Sequence, residues 1–195
     1  MGVARLVVVV VLLAVWQLVV RIWLPAYLPT PTGVAREFFS TLGDHEFDDA
    51  LSASVVAIVL GLVIGCSVGV PFGLLTGRVP WLRRFSAPYI GGLYALPLIV
   101  LVPTITIWLG YSDSARLVLI IVAAALPCAV NTSRGAQLVP KQLLEVTQVL
   151  GVSKLRTLYD VVLPATLPFV VGGVQIAVGR AIIASVSVEF LASLR

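Results

Sequence analysis

Five long apolar runs, over residues 3–24, 51–75, 87–109, 116–130 and 167–194, occupy most of this 195-residue chain. Runs of about 20 residues match the ~30 Å hydrocarbon thickness of a bilayer, where a helix satisfies all its backbone polar groups within one segment. Composition excludes a soluble fold: 59% of residues are hydrophobic and 11% charged, against about a quarter charged in globular domains. The reading is an all-α membrane protein with about five transmembrane helices in a single domain, 1–195. The first run follows only Arg5 and meets no small-residue cleavage site, so it reads as an uncleaved signal-anchor.

Prolines and polar residues refine the runs. Pro97 and Pro103 predict a kinked or broken third run, and the fourth is short enough to recruit Ser114 and Asn131 at its ends. Between the first two runs, "PAYLPTPTG" predicts an extended entry. "VAREFFSTL" places Val34, Phe38, Phe39 and Leu42 at helical spacing, as in a short amphipathic helix on the membrane surface. The acidic "GDHEFDD" that follows, with His45, the only histidine, reads as a solvated loop.

Alternating the loops puts Arg5, Arg78, Arg83, Arg84, Arg134, Lys141, Lys154 and Arg156 on one side. Arg21, Arg36, Arg116 and Arg195 fall on the other, with most of the acids. The more basic side is expected in the cytoplasm, together with the N-terminus.

Gly61, Gly65, Gly69, Gly73 and Gly77 recur at every fourth position of the second run. Each such step advances about 40° beyond a full turn, so the glycines form a slowly winding strip. The strip suits close helix packing, with pore lining as the other reading. Pro71 should bend the same helix. Cys66 and Cys128 lie inside apolar runs, where a disulfide is not expected, and without clustered histidines they form no metal site.

The most water-tolerant long stretch is "LLEVTQVLGVSKLRTLYDVVLP", residues 143–164. Leu143, Val146, Thr147 and Leu150 share one helical face, and Lys141, Glu145 and Gln148 another. Gly151 is placed to end that helix in a left-handed conformation, and Ser153 to cap a second one. In the second helix Leu155, Leu158, Tyr159 and Val162 form the apolar face, Arg156 and Asp160 pair at i,i+4, and Pro164 is the expected stop. Leu143, Leu150, Leu155 and Leu158 are expected to hold both helices against the membrane domain.

This stretch resembles the cytoplasmic loop of permease subunits of binding-protein-dependent ABC importers. Their pattern is Glu-Ala-Ala, three residues, Gly, nine residues, Ile, one residue, Leu-Pro. Here Glu145, Val146, Thr147, Gly151, Val161, Leu163 and Pro164 match every spacing, with both alanines replaced and Val for Ile. "GVPFGLLTGRVPWLRR", "ALPLIVLVPTITIWLG" and "GRAIIASVSVEFLAS" extend the resemblance, most closely to the sulfonate, taurine and nitrate branch. Ala57 stands where that branch often has arginine. The family continues into another membrane helix beyond the position of Arg195, so a truncated product is expected.

The resemblance implies a coupling loop, about residues 132–165, in which Glu145, Gly151, Lys154, Arg156, Val161, Leu163 and Pro164 meet an ATP-hydrolysing subunit. It also implies a second permease copy and an extracytoplasmic solute-binding protein. No cofactor is expected on this chain: it has no G-x-x-x-x-G-K-[ST] phosphate loop, so ATP and Mg²⁺ belong to the partner. The protein is not expected to be an enzyme itself. The solute it would admit is a sulfonate, nitrate or related compound, and the alternatives are a secondary transporter or channel subunit, or a truncated membrane protein without transport activity.

Arg180 and Glu189 lie in the last run, where a charge at the bilayer centre costs about 2.5–3.5 kcal/mol. Nine residues apart, they are separated by roughly 13.5 Å along a helix and face opposite sides, so they cannot pair with each other. Arg180 is the stronger candidate for a pathway or subunit-interface residue; Glu189 is expected nearer the membrane surface.

Overall fold

The computed structural model describes residues 2–23 and 28–193. Part of the predicted extended entry, and Leu194 and Arg195, lie outside the described residues. No strand occurs among those described. The chain divides into two units, Met1–Ala53 and Ser54–Arg195.

The first unit holds α1 (Gly2–Trp23), α2 (Pro31–Thr41) and the opening turns of α3 (His45–Arg78). Helix α1 is apolar on nearly every side, as a lipid-facing span requires. Thr30 caps α2 by accepting from the Gly33 amide, and Pro31 occupies the first turn, where its missing N–H costs nothing. Gln17 Nε2 donates to Thr32 Oγ1 (3.1 Å), tying α1 to α2. The acidic stretch departs from its expected loop. Asp44 Oδ1 accepts from the Glu46 amide (3.2 Å), and Glu46 and Asp48 sit in the first turn of α3, where the helix dipole favours acids. His45 therefore opens a helix.

The second unit continues α3 and adds α4 (Pro80–Ala95), α5 (Leu98–Leu109) and α6 (Asp113–Leu138). It ends with α7 (Lys141–Val149), α8 (Lys154–Thr157), a π-helical turn (Leu158–Val162) and α9 (Leu163–Ser193). Among the described residues four helices are long and apolar enough to cross a membrane, or five if α4 and α5, bent by 101° at their break, form one broken span. The third run thus breaks once, at Pro97. Proline pushes the preceding Leu96 out of the helical region, to ψ 134°, whereas Pro103 stays inside α5.

The fourth run is longer than expected. Helix α6 continues through Pro127 and Asn131 to Leu138, with Ser112 as its N-cap. It is also the centre of the unit: Leu119, Ile120, Ala123, Ala124, Cys128 and Ala136 are inaccessible. The α3 glycines face it. A Cβ at Gly65 would lie 2.7 Å from the Ile121 carbonyl and at Gly73 2.6 Å from the Ala129 carbonyl; at Gly69 it would run into the Ala125 carbonyl. Only glycine admits so close an approach, and the shared van der Waals surface holds the two helices together in lipid, where the hydrophobic effect does not. Helix α9 also packs on α6: Ala177, Ala181 and Ala184 are buried, and Gly135 lies under Phe169. Cys66 and Cys128 are free thiols, but the α3–α6 approach brings their sulfurs to 3.2 Å.

Pro164 does not stop the second helix of the polar stretch. Helix α8 passes through the π-helical turn into α9, making one helical element from Lys154 to Leu191. In uninterrupted α geometry the Pro164 ring would meet the Asp160 carbonyl. The wider turn falls where that clash arises, with Leu163 N–H bonding back to the Leu158 carbonyl. Thr166 Oγ1 then donates to the Val162 carbonyl (2.7 Å), and the helix continues.

Candidate functional site

The polar stretch forms a hook at one end of the second unit. Gly151 has φ +66°, its N–H bonds the Gln148 carbonyl (3.0 Å), and the Val152 N–H bonds the Thr147 carbonyl (2.9 Å). These two bonds define a Schellman ending, which satisfies the last carbonyls of α7 and reverses the chain within three residues. Ser153 then accepts from the Arg156 amide to start α8, and Arg156 pairs with Asp160 at 3.2 Å. That pair is well exposed on both sides and contributes only about 0.3–0.5 kcal/mol.

The apolar faces of the hook differ from their expected roles. Leu144 turns inward from α7, where Thr147 is also buried, and Leu158 and Val162 turn inward from the second arm; with Val161 and Leu163, Leu144, Leu158 and Val162 pack on Leu74, Ala136 and Val139. Leu143, Val146, Val149, Leu150 and Leu155 turn outward, and Val149 is 87% exposed. Of the leucines expected to fix the hook to the domain, only Leu158 packs against it; Leu143, Leu150 and Leu155 are exposed. Glu145 is exposed and joins Gln142, Val146, Val149 and Leu150 around an outward concavity of about 320 Å³. A larger cavity of about 700 Å³ lies within the hook, with Arg78, Gln148, Gly151 and Lys154 on its rim. Of the predicted coupling residues, Glu145, Gly151, Lys154, Arg156 and Pro164 are exposed, whereas Val161 and Leu163 help to root the hook.

The root is braced by basic residues at neighbouring helix ends. Arg78 donates to the Ala136 carbonyl (3.4 Å) and Arg83 to Gln137 Oε1 (2.7 Å), joining the end of α3 and the start of α4 to the last turns of α6. Leu144 of α7, Ala136 of α6 and Leu163 of α9 lie in one packed cluster at this root.

At the other end of the helices, Glu189 accepts from Arg116 (3.0 Å), Ser54 (2.6 Å) and Ser185 (3.1 Å). Arg116, 13% exposed, also holds Asp113 at 2.9 Å. The cluster joins α3, α6 and α9 and gives Glu189 a partner. Read from sequence, Arg116 opens the fourth run and counts among the outer basic residues; helix α6 begins three residues earlier, at Asp113, which sets Arg116 within its first turn. Arg180 is not part of this cluster: it stands two residues past the midpoint of α9, with its guanidinium carbon 4.0 Å from the centre of the Tyr94 ring. Nothing in the sequence spacing points to that pairing.

Residues 69–194 match the family of binding-protein-dependent transport system inner membrane components. The taurine transport system permease protein of Escherichia coli is 31% identical over 192 residues, covering 95% of this chain and 70% of that protein. A putative aliphatic sulfonates transport permease protein of Bacillus subtilis is 27% identical, over 94% of the chain and 67% of its own length. The nitrate import permease protein of Synechocystis is 26% identical, over 94% and 70%.

Proposed function

The chain belongs to the family of binding-protein-dependent transport system inner membrane components, and we propose that it is the permease subunit of an ATP-driven importer for a small sulfonate, nitrate or related anion. It is a multi-pass inner-membrane protein. In this reading two copies form the membrane pathway, each hook docks on an ATP-hydrolysing subunit, and an extracytoplasmic binding protein delivers the solute. ATP and Mg²⁺ stay on the partner. The N-terminus and the hook lie in the cytoplasm, consistent with the basic residues around them.

The observation that carries the proposal is the hook itself. It offers an apolar outward ridge, Val146, Val149 and Leu150, beside an exposed acid, Glu145, on a rigid left-handed turn. One continuous helical element leads from its second arm through α9. Such a ridge fits the helix-in-groove mode of recognition. Closure of the ATPase pair would push α7, and the π-helical turn is where the long element can change direction.

Two experiments test this reading. Single cysteines at Ser40 and Ser153, in a background lacking Cys66 and Cys128, should differ toward an impermeant thiol reagent on intact cells: Ser40 labels and Ser153 does not. Labelling of Ser153 from outside removes the coupling role. Glu145→Lys should abolish co-purification of the ATPase while Arg36→Ala retains it. An ATPase that stays bound to Glu145→Lys, and remains stimulated by loaded binding protein, makes the hook a solvated loop.

A further inference from the structure

A charged residue midway along a spanning helix needs a reason to be there. Arg180 stands in a helix with no other charge between Leu163 and Val188. Its neighbours at helical spacing divide: Ala177 and Ala184 are buried against α6, while Ile176 and Ile183 are exposed. Arg180 and Tyr94 are both half-buried, so the pair reaches the edge of the packed bundle. Lipid is a poor neighbour for a guanidinium, and such residues line a water-filled path or a protein interface instead.

The contact with Tyr94 leaves the arginine's binding capacity intact. With its guanidinium carbon 4.0 Å from the ring centre, Arg180 makes a cation–π contact, which binds none of its five N–H donors to an acceptor atom. Among the described residues no carboxylate pairs with Arg180, in contrast to Arg116 and Arg156, which each hold one. Its donors are therefore available to an oxyanion, which a planar fork of N–H groups can bind in two-point fashion. The ring keeps the fork oriented without neutralising it.

Resting on the permease reading, we infer that Arg180, braced on Tyr94, is an anion-binding station within the membrane pathway, taking the sulfonate or nitrate group of the solute as it leaves the binding protein. Charge, rather than bulk, is what the position supplies.

The test uses the assembled transporter in proteoliposomes, with its ATPase and binding protein, and labelled taurine and nitrate as probes. Uptake is measured per co-purified complex. Arg180→Gln should lower maximal uptake of the transported probe about tenfold or more, and Arg180→Lys by no more than about threefold, as expected for loss and retention of charge-assisted bonds. Tyr94→Leu should lower it about threefold, while Tyr94→Phe, which keeps the ring face, stays near wild type. Arg84→Gln, exposed on another helix, is the control. Uptake by Arg180→Gln within twofold of wild type overturns the station, as does equal loss in the lysine and glutamine variants. If Arg180→Gln does not assemble, equal uptake by Tyr94→Leu and Tyr94→Phe overturns it. A wild-type complex that hydrolyses ATP but takes up neither probe fails at the earlier step, overturning the proposed function and the station with it.

Discussion

Gly151 offers the clearest separation of backbone strain from side-chain collision. Its φ of +66° lies in the left-handed region, and a Cβ built there meets nothing within 4 Å. Substitution therefore costs conformational energy alone, about 1–2 kcal/mol for an ordinary L-residue. Asparagine, which tolerates this region, should cost less, alanine more, and valine most because its branched Cβ narrows the choice further. If the strain is relieved by opening the Schellman turn, α7 loses its fixed direction, and docking must supply the difference. That converts to a weakening of about 5- to 30-fold in affinity for the ATPase subunit. The assay is binding of the purified ATPase to permease in nanodiscs for Gly151→Asn, Gly151→Ala and Gly151→Val, with thermal stability of the membrane domain measured in parallel. Affinity should fall in that order while stability is nearly unchanged, because none of the spans is touched. Equal affinity across the series, or a fall in stability that accounts for the whole loss, refutes the role of the left-handed turn.

The α3–α6 seam should tolerate no added atoms: Gly69→Leu collides with α6 backbone at Ala125 and should destabilise the detergent-solubilised protein by about 1–3 kcal/mol or more, whereas Gly91→Ala, with open space around it, should melt within a few degrees of wild type. Oxidation by a membrane-permeant oxidant such as iodine should join Cys66 to Cys128 within one chain, read as the loss of two hydrogens by intact mass, and Cys66→Ser should abolish the change. A double-mutant cycle on Arg116→Met and Glu189→Gln should give a coupling energy of about 0.5–3 kcal/mol, whereas Arg156→Met with Asp160→Asn should give under about 0.5 kcal/mol, since that pair is solvated.

The spans were legible because bilayer thickness imposes itself on sequence as apolar length, and the single break at Pro97 because proline acts on its immediate predecessor. The acidic turn at the start of α3 was not, since a capped helix beginning in water looks like a loop until Asp44 is seen to cap it. Pro164 misled for a related reason. A proline forbids regular α geometry at one carbonyl, but it does not forbid a single wider turn that avoids the clash. Pairings such as Arg180 with Tyr94 depend on helices far apart in the chain, and no local pattern encodes them.

The hook shows where periodicity stops being informative. Leu143 and Leu150 recur at helical spacing and were expected to grip the membrane domain, yet that grip comes from Leu144 on the adjoining face, and of the predicted face only Thr147 is buried. A nine-residue helix cannot present two apolar faces to one neighbour. Leu144 packs against α3 and α6 and Thr147 is buried, so Val146, Val149 and Leu150 are left for a different surface. Water is an unfavourable one, because a contiguous apolar ridge on a rigid turn costs solvation at every exposed methyl group. Apolar spacing records that a face will be covered, not which molecule covers it. On α7 the inner face is covered by this chain, and the outer face is the one that asks for a partner.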